Sequence, residues 1–313
     1  LIIYYKTLSS SLKEGKINWW TKVLPVVNNL PDILHLQWAK SLEDWMFLKE
    51  LFNIKIVLSL RGAHINYSPL ANSKLAIKYK ELFPQVDIFH AVSNSIALET
   101  RKYLEVDKDI KVIRTAVDVD LLNSYKKKVY NTNENFEFIS VGRHHWKKGY
   151  QYSLTAFRNF IKDGYRANYT IIAKDEPSEE ILYLTDNFNL NDHVRFISCH
   201  PQEQVYEYMS KSDCLLLPSV EEGIANVVVE AMCIGLPVIC SDLDGMKELV
   251  VHENNAFLFK SRSSNDLMLQ MKKIINYREE DRIKIIDNAR IAIKKKHNLG
   301  RLAVEMRKLY FDI

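Results

Sequence analysis

The sequence predicts an α/β protein made of two Rossmann-like, doubly wound domains. Three observations predict it. Short apolar, β-branched runs alternate with helix-period segments along most of the chain, the pattern of parallel sheets covered on both faces. The alternation occurs twice, on either side of a polar stretch without periodicity. And 313 residues, 47% hydrophobic and 26% charged, suit two packed cores and exclude a disordered chain.

In the first half, Asp32–Gln37 reads as a strand, Leu42–Phe52 as a helix and Ile54–Leu60 as a strand ending at Arg61-Gly62. A helix over Ser73–Phe83 and a strand over Val86–Val92 follow. Ser93 caps a helix that runs to about Leu104, and Lys111–Ile113 is a last short strand. Lys126–Lys128 and Asn131–Asn135 read as the interdomain linker. Beyond it, strands are expected at Phe136–Val141, Tyr169–Ala173, Val194–Ile197, Cys214–Pro218, Pro237–Ser241 and Ala256–Phe259. The helices between them are Tyr150–Ile161, Glu179–Asn187, Gln202–Ser210 and Asn226–Ile234. Lys272–Asn298 reads as a basic helical stretch, and Gly300–Tyr310 as the last helix.

The expected domains are thus an N-terminal one over 1–130, a C-terminal one over 131–299, and a final helix over 300–313. Leu302, Val304, Met306 and Leu309 would let that helix return to the first domain. Doubly wound sheets bind ligands outside the carboxyl ends of their strands, so the site is expected beside the crevice between domains. The chain opens at Leu1 inside a structured-looking pattern, which suggests that N-terminal sequence is missing and the first domain incomplete.

A formal net charge of +4 gives no nucleic-acid footprint, yet suits a partner bearing phosphates or an anionic membrane surface. Cys199, Cys214, Cys233 and Cys240 lack metal-site spacing and read as reduced, mostly buried thiols of a cytoplasmic protein. No apolar run is long enough to span a membrane, and no secretory signal pattern occurs. Trp19-Trp20 among Lys13, Lys16 and Lys22 reads either as a buried aromatic pair with solvated lysines or as a peripheral membrane contact.

The densest chemical signal is Pro218-Ser-Val-Glu-Glu-Gly-Ile-Ala-Asn-Val-Val-Val-Glu230. A strand enters a Glu-Gly turn and then a helix, whose first N–H groups attract phosphate or a hydroxyl. Asn226 or Ser219 is placed to cap it. Glu222 in the loop and Glu230 on the helix are carboxylates, each able to accept two hydroxyl hydrogen bonds; either alone is as compatible with an ordinary surface glutamate. The second signal is Val141-Gly-Arg-His-His-Trp-Lys-Lys-Gly149. Arg143 and Lys148 near a strand end could neutralise a leaving diphosphate, or simply form a solvated basic loop.

Together these strings resemble the signature of family-4 retaining glycosyltransferases with the GT-B fold, the kind found in bacterial exopolysaccharide and lipopolysaccharide synthesis. Pro-Ser, Glu-Gly, a second Glu after seven residues, Glu-Ala-Met and Gly-x-Pro-Val all occur, as does Gly-Arg…Lys-Gly. Asp213–Ser219, Ser241–Val250, His90–Ser93 and Val112–Asp118 agree more weakly. The resemblance implies two facing domains and a hexosyl transfer from a UDP- or GDP-linked sugar to a glycan or glycolipid hydroxyl, with retention. It implies that Glu222 contacts the donor sugar and Glu230 the ribose. Arg143 and Lys148 would bind the diphosphate, with Lys147 the alternative to Lys148, and Gly142 would allow close backbone approach. Gly223, Ile224, Ala225, Asn226 and Val227 would present backbone to sugar and phosphates. No metal or other cofactor is called for. Arg61 and His64 stand as acceptor- or phosphate-side candidates, with a core or loop role as the alternative, and His35 reads as structural. Three departures stand out: Ala173–Pro177 in place of Gly-x-Gly-Pro, Arg114–Ala116 in place of Pro-Asn-Gly, and Asp244 in place of a glycine. A sugar-nucleotide epimerase of the same architecture, a glycogen-type phosphorylase and a non-catalytic nucleotide-sugar-binding subunit are the rival readings.

Overall fold

A computed structural model describes residues 16–105, 107–125, 135–198 and 201–313, with side chains from residue 21. The membrane reading of Trp19-Trp20, most of the 126–135 linker and Cys199 therefore lie outside what is described. The chain divides into two compact units, Leu1–Ile113 with Glu305–Ile313, and Arg114–Val304. The division thus falls at residue 113 rather than at the polar stretch. The reason is packing: the short helix Val119–Ser124 places Leu122 in the core of the second unit.

The first unit holds four parallel strands in sequential order: β1 (Ile33–Leu36), β2 (Lys55–Leu60), β3 (Ile88–Ala91) and β4 (Ile110–Val112). Leu58, Leu60, Phe89 and Ala91 pack with Leu42, Met46, Tyr79 and Phe83 from the covering helices. Of the last helix, Leu299–Phe311, the segment from Glu305 belongs to this unit; Leu309 is buried in it and Val304 is exposed.

Beneath the carboxyl ends of these strands runs a continuous polar relay. His90 Nε2 lies 2.9 Å from the Ile113 carbonyl, which only accepts, so Nε2 carries the proton. Its Nδ1 then accepts from Ser59 Oγ at 2.7 Å. Ser59 in turn accepts from His35 Nε2 at 2.8 Å, and His35 Nδ1 accepts from the Tyr310 hydroxyl at 2.7 Å. Every proton in the chain is assigned by its neighbour. Burial first, then the competition with His90 for a proton and the charge of Arg61, push the His35 imidazole down to about 4, and burial lowers His90 as well. Both rings are neutral.

The second unit holds six parallel strands in the order β10-β9-β8-β5-β6-β7. They are β5 (Phe136–Val141), β6 (Ala167–Ala173), β7 (Val194–Ser198), β8 (Cys214–Leu217), β9 (Val238–Ser241) and β10 (Phe257–Phe259). Successive residues point to opposite faces. Ile139, Ile172, Leu215 and Cys240 meet the helix Asn226–Ile234 on one side. Phe138, Ile171, Leu216 and Ile239 meet Tyr150–Lys162 and Ser264–Ile275 on the other. Both faces are covered, which is why these strands read as unbroken apolar runs.

The basic stretch Lys272–Asn298 is not one helix but the end of Ser264–Ile275 followed by Glu279–Lys296. Tyr277 packs edge-on against Phe257, with ring centroids 5.3 Å apart. Arg282 Nη2 donates to the carbonyls of Ile274 and Tyr277 at 3.1 and 3.4 Å, satisfying the end of the first helix. Among the described residues no helix is long and apolar enough to cross a membrane, and Cys214, Cys233 and Cys240 are buried free thiols.

Replacing Ser59 by Ala leaves His90 Nδ1 and His35 Nε2 facing no partner inside the protein. The expected cost is about 1–3 kcal/mol, read as a lower urea midpoint by tryptophan fluorescence at unchanged slope.

Candidate functional site

In the second unit the strand order reverses between β5 and β8, whose chains leave in opposite directions along the sheet. A crevice at the carboxyl ends follows from that topology. Both sequence signals emerge there, one from each strand.

After β5 the chain turns at Gly142 (φ 158°), passes Arg143 and forms a short 3-10 turn, Trp146–Lys148. A Cβ on Gly142 would sit 3.0 Å from Lys148 Cε and 3.4 Å from the Tyr150 hydroxyl. Tyr150, buried at the start of its helix, donates to the Gly142 carbonyl at 2.7 Å and fixes the turn. Gly149 ends the 3-10 turn in the left-handed region (φ 65°), where a Cβ would lie 2.0 Å from the Pro218 carbonyl oxygen. Val220 N–H also donates to the Lys147 carbonyl at 2.7 Å. Backbone therefore meets backbone between the two loops.

After β8, Ser219 is fully buried and donates to Glu222 Oε1 at 3.1 Å. The same carboxylate oxygen takes Lys148 Nζ at 2.5 Å, with both side chains largely shielded from solvent. So Lys148 and Glu222, 74 positions apart and read separately in the sequence, form one ion pair. Arg143 is exposed and pairs with no carboxylate among the described residues. Burial lowers the Lys147 ammonium, and the cations Lys148 and Arg143 add to this against Glu222 and Glu221. His145 is lowered by burial and by Lys147, Arg143 and Lys148. The loop concentrates positive charge on the β5 side.

The helix Asn226–Ile234 starts from Ala225, and no side chain caps it. Neither expected cap operates: Ser219 is turned to Glu222, and Asn226 is the first helical residue and exposed. Gly223 and Ala225 are buried, Ile224 and Val227 half-buried. Val228 N–H turns back to the Ala225 carbonyl at 3.0 Å, and among the described residues no side chain caps the Asn226 and Val227 N–H groups, the arrangement that binds anions. Gly245, in the short helix Asp244–Lys247, packs on this turn so closely that a Cβ would lie 1.5 Å from the Gly223 carbonyl oxygen. In the sequence it stands in the Ser241–Val250 string, directly after Asp244, which takes the place of a first glycine.

Glu230 sits half-buried on the same helix. Burial raises its carboxyl to about 6, partly offset by a hydrogen bond from Tyr206. Gln202 Nε2 lies 3.4 Å from both carboxylate oxygens, so two neighbours orient it. Neither Tyr206 nor Gln202 carried a signal in the sequence, since both are supplied by a separate helix, Gln202–Lys211. Arg61 and His64 belong to the first unit: Arg61 donates to Gln37 Oε1, and the His64 ring lies 4.7 Å from that of Trp38. Among the described residues no three His, Cys, Asp or Glu side chains gather as a metal site.

Residues 123–292 match the family described as "Glycosyl transferases group 1". The N-acetyl-alpha-D-glucosaminyl L-malate synthase of Bacillus anthracis is 25% identical over 90% of this chain and 75% of its own. The amylovoran biosynthesis glycosyltransferase AmsK of Erwinia amylovora is 24% identical over 85% of this chain and 66% of its own. Among solved structures, Anabaena HepE in complex with UDP and glucose superposes with a TM-score of 0.83 at 18% identity, covering 96% of this chain and 83% of that one. The fold is thus that of GT-B glycosyltransferases, as the sequence predicts.

Gly149→Ala forces a side chain into the Pro218 carbonyl and into the left-handed region. The loss expected in urea unfolding is about 2–4 kcal/mol, while Gly164→Ala, which shares the left-handed backbone (φ 86°) but meets nothing within 4 Å, loses only the strain of about 1–2 kcal/mol.

Proposed function

The chain belongs to the glycosyl transferases group 1 family, and on that footing we propose that it moves a hexosyl group from a UDP- or GDP-linked sugar to a hydroxyl of a glycan or glycolipid, with retention. The observation that carries this reading is the placement of the Arg143–Lys148 loop and the Glu222–Val227 turn at the β5/β8 reversal, tied by the Lys148–Glu222 pair.

In this reading the donor diphosphate lies between the cationic loop and the uncapped helix start. Arg143 offers it a planar fork and Lys148 a point charge. The phosphate competes with Glu222 for Lys148, and the released carboxylate accepts hydroxyls of the donor sugar. Gly142 leaves room for the phosphates, and the backbone from Gly223 to Val227 donates N–H groups. Glu230 accepts the ribose hydroxyls. The bond from the anomeric carbon to the diphosphate oxygen breaks, and a bond to the acceptor oxygen forms on the same face. The acceptor's proton passes to the departing phosphate oxygen. Negative charge grows on that oxygen, and Arg143 and Lys148 stabilise it without a metal ion. AmsK, named for amylovoran biosynthesis, supports a place in bacterial polysaccharide assembly; we infer a cell-surface polysaccharide or lipopolysaccharide product, made by a protein that is cytoplasmic or peripheral on the inner membrane face. HepE, solved with UDP and with UDP-glucose, supports a uridine donor as the first to test.

Calorimetric titration with UDP and with GDP tests the donor site. One nucleotide is expected to bind, and Glu230→Ala and Arg143→Ala each weaken it by more than about 1 kcal/mol. Binding by neither nucleotide, in a folded protein, sinks the assignment. The Glu230 role adds a sign: only the ionised carboxylate accepts two hydroxyls, so affinity drops as pH falls through about 6, and Glu230→Gln removes that share of the drop.

A further inference from the structure

At the carboxyl edge of the first unit's sheet, the ends of the neighbouring strands β1 and β2 are stitched together twice. Gln37 accepts from Arg61, and the Trp38 ring lies 4.7 Å from the His64 ring at an interplanar angle of 47°. The Trp38 side chain is half out in water, at 50% exposure, although the core beside it is closed by Ala39 and Leu42. Its backbone is nevertheless held in place, and the His64 ring leans on the indole. Its carbonyl accepts from both the N–H and the hydroxyl of Ser41, at 3.1 and 2.7 Å. Arg61 is exposed, uses one of its five donors on Gln37 and makes no ion pair among the described residues. Its charge is felt by His35 and His90 below, both of which are kept neutral. The relay through Ser59 fixes that floor.

An exposed indole on an anchored backbone offers an apolar face with a polar edge. The C–H face of a pyranose ring matches it, because both surfaces lose water at little polar cost. A guanidinium with open donors beside it suits a carboxylate or phosphate, which it can grip bidentately. The carboxyl edge of a parallel sheet is also where such folds collect ligands. We propose that Trp38 and Arg61 form a subsite for an anionic saccharide, Trp38 stacking on the sugar ring and Arg61 binding its carboxylate or phosphate. The subsite rests on the glycosyltransferase reading for its identification as the acceptor's.

The test uses the full chain saturated with UDP, so that the donor site is occupied, and follows the Trp38 indole N–H resonance, assigned by its loss in Trp38→Phe. Glucose, glucuronic acid and glucose 1-phosphate are titrated in parallel. Both anions are expected to shift the resonance more readily than glucose, and the stronger of the two says whether the partner group is a carboxylate or a phosphate. Arg61→Gln should weaken the anions by about tenfold and leave glucose unchanged; Trp38→Ala, read by saturation transfer to the sugar protons, should abolish all three. No shift with any sugar, or equal shifts with glucose and the anions, overturns the proposal. UDP binding is recorded in the same samples. Its presence without a sugar response sinks the subsite alone, and its absence with a sugar response sinks the donor site instead.

Discussion

The reversal of strand order between β5 and β8 is the constraint on which the second unit's chemistry depends. Strands on either side of it send their following helices to opposite faces of the sheet. Their loops therefore stand side by side at the carboxyl ends, where no crossover helix of this sheet runs between them. The cationic loop and the Glu-Gly turn meet there because the topology brings these two strand ends together. The Lys148–Glu222 pair then answers a local need, since two largely shielded opposite charges are each costly alone. What remains is an uncapped helix start facing a loop rich in cations, a setting complementary to phosphate.

The two units handle buried polarity in contrasting ways. In the second, charge is concentrated and left partly unmatched: Arg143 is exposed, and desolvation raises the Glu230 carboxyl. In the first, the relay from Ile113 to Tyr310 is wholly neutral and fully satisfied. A neutral chain whose donors are all assigned adds rigidity at little electrostatic cost. It also connects the last helix of the chain to three consecutive strands, so residues 275 positions apart share one hydrogen bond.

Much of this was legible in the sequence, for reasons that can be named. Phe136–Val141 and Asn226–Ile234 are read to the residue, because a strand buried on both faces is continuously apolar and the helix is bounded by a Glu-Gly turn and Gly235. The break at Asn276–Arg278 was not, because no glycine or proline marks it; it exists through Tyr277 meeting Phe257 and Arg282 capping backward. The same divide runs through the site. Glu222, Glu230, Arg143 and Lys148 stand out because each sits in a dense local string. Ser219 stands in the same string as Glu222 but reads there as a helix cap, whereas Tyr206, Gln202 and the pairing of Lys148 with Glu222 are products of register and helix placement, which no local string records. His35, read as structural, does hold structure together, but through Ser59 and His90 on neighbouring strands that only sheet pairing brings into line.

The contact of Gly149 with the Pro218 carbonyl bears on how such proteins diversify. Two stretches almost seventy positions apart in the chain touch backbone to backbone, so neither can change length or path unless the other follows. Recombination that imports one loop from a relative brings half of a matched pair into a frame cut for the other. Variation should collect instead in segments free of that bond, such as the Ala173–Pro177 turn, leaving the phosphate-facing loops to be inherited together.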